Sequence, residues 1–201
     1  MNIPYSFEST LDPDPLVQFH TWYAEAERAV ERPDCTALAT ATPDGRPSVR
    51  MVLLKRAGRE GFAFHTNLGS RKAQELAANP RAALLFHWQS LGRQVRIEGS
   101  VRATPAQESE EYFRTRPLGS RLAAWASPQS RPLADRAELE RLYAVAADRF
   151  AHGDVPLPPH WGGFRLVPDA YEFWQHGEDR LHDRVRYELA DGGWRRQRLA
   201  P

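Results

Sequence analysis

Apolar residues recur at helical spacing over residues 14–32. Leu16, Phe19, Trp22, Tyr23 and Ala26 share one stripe, and Pro33-Asp34 ends the run. The period then changes to two. Thr36–Thr42 alternates around Leu38, Asp44-Gly45 supplies a hairpin turn, and 48–54, 61–66, 82–88 and 94–101 read as further strands. A short helix at 70–79 interrupts them and is stopped by Asn79-Pro80. Helical spacing returns over 105–115, where Thr104-Pro105-Ala106-Gln107 has the form of a capping box with Pro at the first helical position. Helices are also expected at 119–126 and from Asp135, which has Glu138 three residues on and an apolar stripe through Leu139, Leu142, Tyr143, Ala146 and Phe150. Val155–Pro159 is a stiff connector. Strands resume at 162–167, 170–175, 184–189 and 194–199, the last two joined through Asp191-Gly192-Gly193. Residues 1–13, with Pro4 and Pro13, read as a mobile arm. This order predicts one domain over 14–201, α+β and mainly β: a single antiparallel sheet closing as a barrel, with helices packed outside.

A chain of 201 residues is long enough to bury a core without staples. Its single Cys35 forms no intramolecular disulfide, and no Cys/His spacing suits a metal, so we expect a reducing compartment and no metal site. The N-terminus has neither the basic nor the apolar stretch of a signal peptide, and no apolar run has the length of a membrane span; the expectation is a cytoplasmic protein. A net charge of +1 gives no field to attract nucleic acid or anionic lipid. Of the 27 basic residues only Lys55 and Lys72 are lysines, which makes their positions informative, because an ammonium is a compact point charge suited to a phosphate oxygen.

Ser70-Arg71-Lys72 is a local conflict. Ser70 is a candidate N-cap, but cations in a first helical turn oppose the helix dipole. Either they are solvated at a frayed end, or an anion binds there against free N–H groups. Arg50 and Lys55, in Arg50-Met51-Val52-Leu53-Leu54-Lys55, fall on opposite faces of a strand unless a bulge intervenes. Tyr112 and Arg116 lie four apart on one helix face, and the chain continues to Ser120; the three could hold a phosphate, or Arg116 could simply suit a helix C-terminus. Gln94, Gln129 and Ser130 could read the edge of a heterocycle or be surface polar groups. Beyond Trp174, Arg180, His182 and Arg184 alternate at period two; Asp179 and Asp183 offer them a plain salt-bridged alternative. There is no GxGxxG or P-loop.

Taken in order, these blocks resemble the pyridoxamine 5′-phosphate oxidase family from about residue 34 to Pro201. They are Arg50–Lys55, Thr66-Asn67 with Ser70-Arg71-Lys72, Arg93–Gly99, Tyr112–Arg116, Trp125–Ser130, Pro159–Gly163, Glu172–Gln175, Arg180–Arg184 and Arg198–Pro201. The resemblance implies an FMN-binding split β-barrel homodimer with flavin at the subunit interface. It implies an oxidase that converts pyridoxamine or pyridoxine 5′-phosphate to pyridoxal 5′-phosphate, with O2 as acceptor. FMN contacts are implied for Arg50, Met51, Val52, Leu53, Leu54, Lys55, His65, Thr66, Arg71, Lys72, Gln94, Gln129, Ser130, Trp174 and Arg184. The substrate phosphate is assigned to Lys55, Tyr112, Arg116 and Ser120. Arg180, Leu181 and His182 are assigned to the pyridine ring, with Arg180 and His182 nearest the chemistry. Position 65 is His where the family usually has Tyr. Phenazine-type flavin oxidases on the same barrel, and a non-catalytic carrier of FMN or pyridoxal phosphate, are the rival implications.

Overall fold

The computed structural model describes residues 7–201. In chain order its elements are α1 (Phe7–Thr10), α2 (Pro15–Ala29), β1 (Cys35–Ala41), β2 (Pro47–Leu53), β3 (Arg56–Gly58), β4 (Gly61–Asn67) and α3 (Arg71–Ala78). There follow β5 (Arg81–Trp88), β6 (Arg93–Ala103), α4 (Ala106–Thr115), α5 (Leu118–Ala126), α6 (Arg136–Arg149), β7 (Trp161–Gln175), β8 (Asp183–Ala190) and β9 (Gly193–Arg198). All nine strands join one antiparallel sheet in the order β2-β1-β5-β6-β7-β4-β3, with β8 and β9 continuing from β7. The sheet curls into a split barrel, and β2 forms no ladder with β3 or β4.

Helix α2 begins where Asp14 accepts the Leu16 N–H at 2.8 Å, with Pro15 in the first turn. It plugs the curl. Phe19 is fully buried and meets Phe62, Phe86 and Trp88 at ring distances of 4.9, 5.1 and 6.2 Å, and Trp22 meets Phe173 edge-on at 5.3 Å. A second apolar cluster of Phe113, Leu122, Val155 and Trp161 ties α4 and α5 to the start of β7.

Four expectations change. The strands expected at 162–167 and 170–175 are one strand, β7. Pro168 is tolerated inside it because the register shifts at Glu98/Gly99, where Gly99 faces Pro168. The expected capping box does not form: Pro105 is the cap residue, and the Thr104 hydroxyl pairs with Ser109 Oγ at 3.0 Å. The three-residue β3 was not expected. Of the expected arm, residues 1–6 lie outside the described residues. Within 7–13, Leu11 is buried, and the Tyr187 hydroxyl donates to the Asp12 carbonyl at 2.7 Å.

Among the described residues no helix is long and apolar enough to cross a membrane, and no cluster of His, Cys, Asp and Glu could hold a metal.

Candidate active site

β7 organises the site because three strands use it. β6 runs along one edge, while β4 pairs with its first half and β8 with its second. The residues singled out in the sequence collect at its two ends.

At the Trp161 end lies a cavity of about 260 Å³ between β2, β4, α4 and the loop after α5. Lys55, Lys72, Tyr112, Arg116 and Gln129 border it together. So do His65 and Thr66 of β4 and Met51, Val52 and Leu53 of β2. Lys72 is only 9% exposed. Its ammonium donates to Thr66 Oγ1 (3.0 Å), Ser70 Oγ (3.3 Å) and Gln129 Oε1 (2.9 Å). All three are neutral, and Lys72 has no carboxylate partner among the described residues. Burial, then the neighbouring Arg50, lowers its pKa to about 8. Ser70 is thus not a side-chain cap; its hydroxyl serves Lys72 instead.

The first-turn conflict resolves differently for the two cations. Arg71 is answered within its own helix by Glu75 at 2.8 Å. Glu75 is a buried hub that also accepts from Thr40 and Ser48, each at 2.5 Å, and from Arg50 at 3.3 Å. Burial alone would raise its pKa, but the hydrogen bonds from Ser48, Thr40 and Arg71 prevail and hold it at about 2. Lys72 has no such answer.

Arg50 and Lys55 do touch different things. Arg50 turns to Glu75, Thr40 and the Leu38 carbonyl, away from the cavity lining. Lys55 lies past the end of β2, pairs with Asp34 at 3.2 Å and approaches the Tyr112 ring at 5.8 Å. Leu54 is buried and also lies outside the lining.

The wall opposite Lys72 is aromatic. His65 stacks on Tyr112 (4.6 Å) and Trp161 (5.2 Å), and the Arg116 guanidinium lies 4.9 Å over Trp161. Burial pushes Arg116 below its usual pKa, and its buried Nη1 has no hydrogen-bond partner among the described residues. Both His65 nitrogens are likewise buried and unpartnered, and burial followed by Arg116 and Lys55 lowers its pKa to about 4. Gly163, paired with His65 across β4–β7, leaves the ring its room: a Cβ there would sit 2.8 Å from His65 Cδ2 and 2.5 Å from Thr104 Oγ1. Ser120 lies in the first turn of α5, outside the lining, and Ser130 follows Gln129 in a left-handed conformation (φ 71°).

The second group sits at the Gln175 end. Gln94, Trp174 and Arg184 are directly paired across β6, β7 and β8. His182 packs 4.6 Å from Trp174, and its Nδ1 accepts the Gly177 N–H at 3.2 Å, which leaves the proton of the neutral ring on Nε2. Arg180 is exposed in a 3₁₀ turn (Glu178–Arg180) with φ of 64°, and Leu181 is 75% exposed beside it. From Gly163 to Trp174 the strand runs roughly 36 Å at ~3.3 Å per residue, so one protomer does not bring the two groups together.

Sequence reading missed Trp161 and Glu75 as site residues. The spacing of Arg71 to Glu75 was a usable signal for Glu75. Trp161 lies in the Pro159–Gly163 block, but its spacing pointed to no role; it reaches the site through β4–β7 pairing.

Known proteins resemble this chain along most of its length. Residues 23–146 match the family described as pyridoxamine 5′-phosphate oxidase, and residues 161–201 match the pyridoxine 5′-phosphate oxidase C-terminal dimerisation region. The chain is 55% identical over 195 residues to the pyridoxine/pyridoxamine 5′-phosphate oxidase of Rubrobacter xylanophilus, covering 96% of this chain and 90% of that protein. It is 53% identical over 201 residues to the enzyme of the same name from Sphingopyxis alaskensis, covering 99% and 93%. Among solved structures it resembles PhzG from Burkholderia lata in complex with tetrahydrophenazine-1-carboxylic acid: TM-score 0.91, 32% identity, 100% of this chain and 99% of that one. An FMN-binding protein from Nostoc punctiforme shares the fold at TM-score 0.74 and 17% identity, over 95% of this chain and 100% of that one. The chain belongs to the pyridoxamine 5′-phosphate oxidase family.

Proposed function

We propose that this protein is an FMN-dependent oxidase that converts pyridoxamine and pyridoxine 5′-phosphates to pyridoxal 5′-phosphate, working as a homodimer. The observation that carries the reading is a pair of partly desolvated cations, Lys72 and Arg116, on one cavity and without carboxylate partners among the described residues. Cations in that state call for anions from outside the protein. Two phosphates, one on a cofactor and one on a substrate, answer the need.

FMN fits the residues present. Lys72, flanked by Thr66, Gln129 and Ser130, with Arg71 at the same helix end, would take its phosphate. Met51–Leu53 and the His65–Thr66 stretch would lie along the flavin. FMN, when bound, supplies the hydride acceptor for the substrate's C4′ carbon, and O2 restores it with release of H2O2; with the amine substrate, water hydrolyses the resulting imine and ammonia leaves. Lys55, Tyr112, Arg116 and Ser120 would anchor the substrate phosphate. Arg116 rests over the Trp161 ring, which restricts its guanidinium before the ligand arrives. His182 would donate from Nε2 to an oxygen on the pyridine ring while Arg180 fixes the ring's position.

Gln94, Trp174, Arg180, His182 and Arg184 would reach this cavity from a second copy of the chain. The exposed apolar face of β2–β1–β5 favours such a copy: Met51 (59% exposed) pairs with Ala37, which pairs with Leu85 (37% exposed). The matched dimerisation region supports the same arrangement.

The test is anaerobic addition of pyridoxine 5′-phosphate to the purified FMN-loaded protein. The flavin absorbance should bleach, and admission of air should restore it with peroxide formed. A flavin that stays oxidised overturns the reading and favours a carrier. The likeness to PhzG makes a phosphate-free tricyclic substrate the second reading. Faster turnover of such a compound than of pyridoxine 5′-phosphate would select it.

A further inference from the structure

Arg184 is held by more than its strand. Its Nε and Nη2 both donate to one oxygen, Glu172 Oε1, at 3.1 and 2.9 Å. Glu172 is buried, and its other oxygen takes Arg96 Nη2 at 2.5 Å, so that carboxylate is itself fixed. Two bonds that meet on a single oxygen make a pivot, and the guanidinium could still swing about it. The swing is stopped by the chain beyond β9. Arg184 Nη1 donates to the Ala200 carbonyl at 2.9 Å, and the Leu199 N–H donates to the Arg184 carbonyl at 2.9 Å. The β8–β9 ladder has already ended at Val185–Arg198, so these two bonds seat the segment on Arg184 in particular. Three of the five guanidinium N–H donors are then occupied and two are left for a ligand.

We propose that Leu199–Pro201, acting with Glu172, is a positioning element for the cofactor: it aims the two remaining donors of Arg184. This rests on the reading above that Arg184 contacts FMN. An unaimed guanidinium must lose its freedom at the moment of binding, and the loss appears as weaker affinity.

The experiment titrates FMN into apoprotein by flavin fluorescence, using the full chain, a chain ending at Arg198, Arg184→Ala, and the two changes combined. The chain ending at Arg198 should bind FMN roughly five- to tenfold more weakly, as expected when one long side chain must be immobilised on binding. The same truncation in the Arg184→Ala background should cost nothing further. A chain ending at Ala200 keeps an acceptor at that position and should bind as the full chain does. If the shortened chain does not fold, Leu199→Pro removes the N–H bond to Arg184 without shortening the chain, and the same comparison applies. Unchanged affinity on truncation, or equal losses in both backgrounds, overturns the inference while leaving the cofactor site standing. Unchanged affinity in Arg184→Ala alone overturns the cofactor assignment and the inference with it.

Discussion

If Lys72 takes the FMN phosphate, as proposed, FMN affinity depends on pH in a way that can be worked out beforehand. Its ammonium is buried against neutral oxygens and has a pKa of about 8 in the free protein. A bound phosphate would favour the charged form and raise that value. Below pH 8 the cation is already present, so binding takes up no proton through this residue. Above pH 8 Lys72 must gain a proton as FMN binds. Affinity should then fall about tenfold per pH unit until the bound-state pKa is reached. At pH 9 the loss relative to pH 7 is roughly tenfold, or about 1.4 kcal/mol. In the apoprotein the sign is opposite to that of a paired lysine. The depressed pKa is a stability cost present at neutral pH and relieved as pH rises from 8 toward 10.5. The full shift corresponds to about 3 kcal/mol, and screening from the open cavity reduces it to roughly 1–2. Lys72→Met should therefore raise apoprotein stability by that amount while losing tight FMN binding. Lys72→Arg, charged throughout, should flatten the profile. The assay is fluorescence titration of apoprotein with FMN from pH 7 to 9.5 at constant ionic strength. A flat wild-type profile, or the same slope in Lys72→Arg, refutes the reasoning.

Arg116→Ala should raise KM for the phosphorylated substrate by roughly 10- to 100-fold while changing FMN affinity far less; steady-state kinetics beside FMN titration checks this, and equal losses would mean that the two phosphate sites are divided wrongly. His65 resists protonation in the fold, so stability should fall as pH drops from 6.5 toward 4, by about 1–2 kcal/mol after screening. His65→Phe keeps the stacking and should remove that part of the acid limb in thermal melts; an unchanged limb contradicts the assignment. Gly99→Ala places a Cβ 2.0 Å from the Val167 carbonyl oxygen at the bulge, and should destabilise by ~1–3 kcal/mol or more in denaturant unfolding; a neutral result would mean the bulge relaxes freely.

Much of the fold is legible where local physics and tertiary structure agree. The Phe19–Trp22 stripe, the Asp44-Gly45 turn (Gly45 φ 84°) and the Asp135 cap, which accepts the Glu138 N–H at 2.7 Å, all lie where their spacing puts them. Reading fails where a longer-range partner decides. Thr104 looks like a cap, but Pro105 is extended and Ser109 takes the hydroxyl. Pro168 looks like a break, but a bulge within β7, where Asp169 is left without a partner on β6, absorbs it. In the site, the residue types of Lys72 and Arg116 suggested phosphate chemistry. That they share one cavity, while Trp174 and Arg184 stand at the far end of the same strand, is fixed by β7 pairing with β4 at one end and β8 at the other. No window of sequence contains that information.

If the two groups at the ends of β7 meet across a dimer, as proposed, the length of this strand couples catalysis to mass action. With each chain carrying complementary halves at the strand's two ends, diluted single chains would be inert. Cofactor, by bridging the halves, would pull chains together, so saturating FMN should lower the protein concentration at which activity fades.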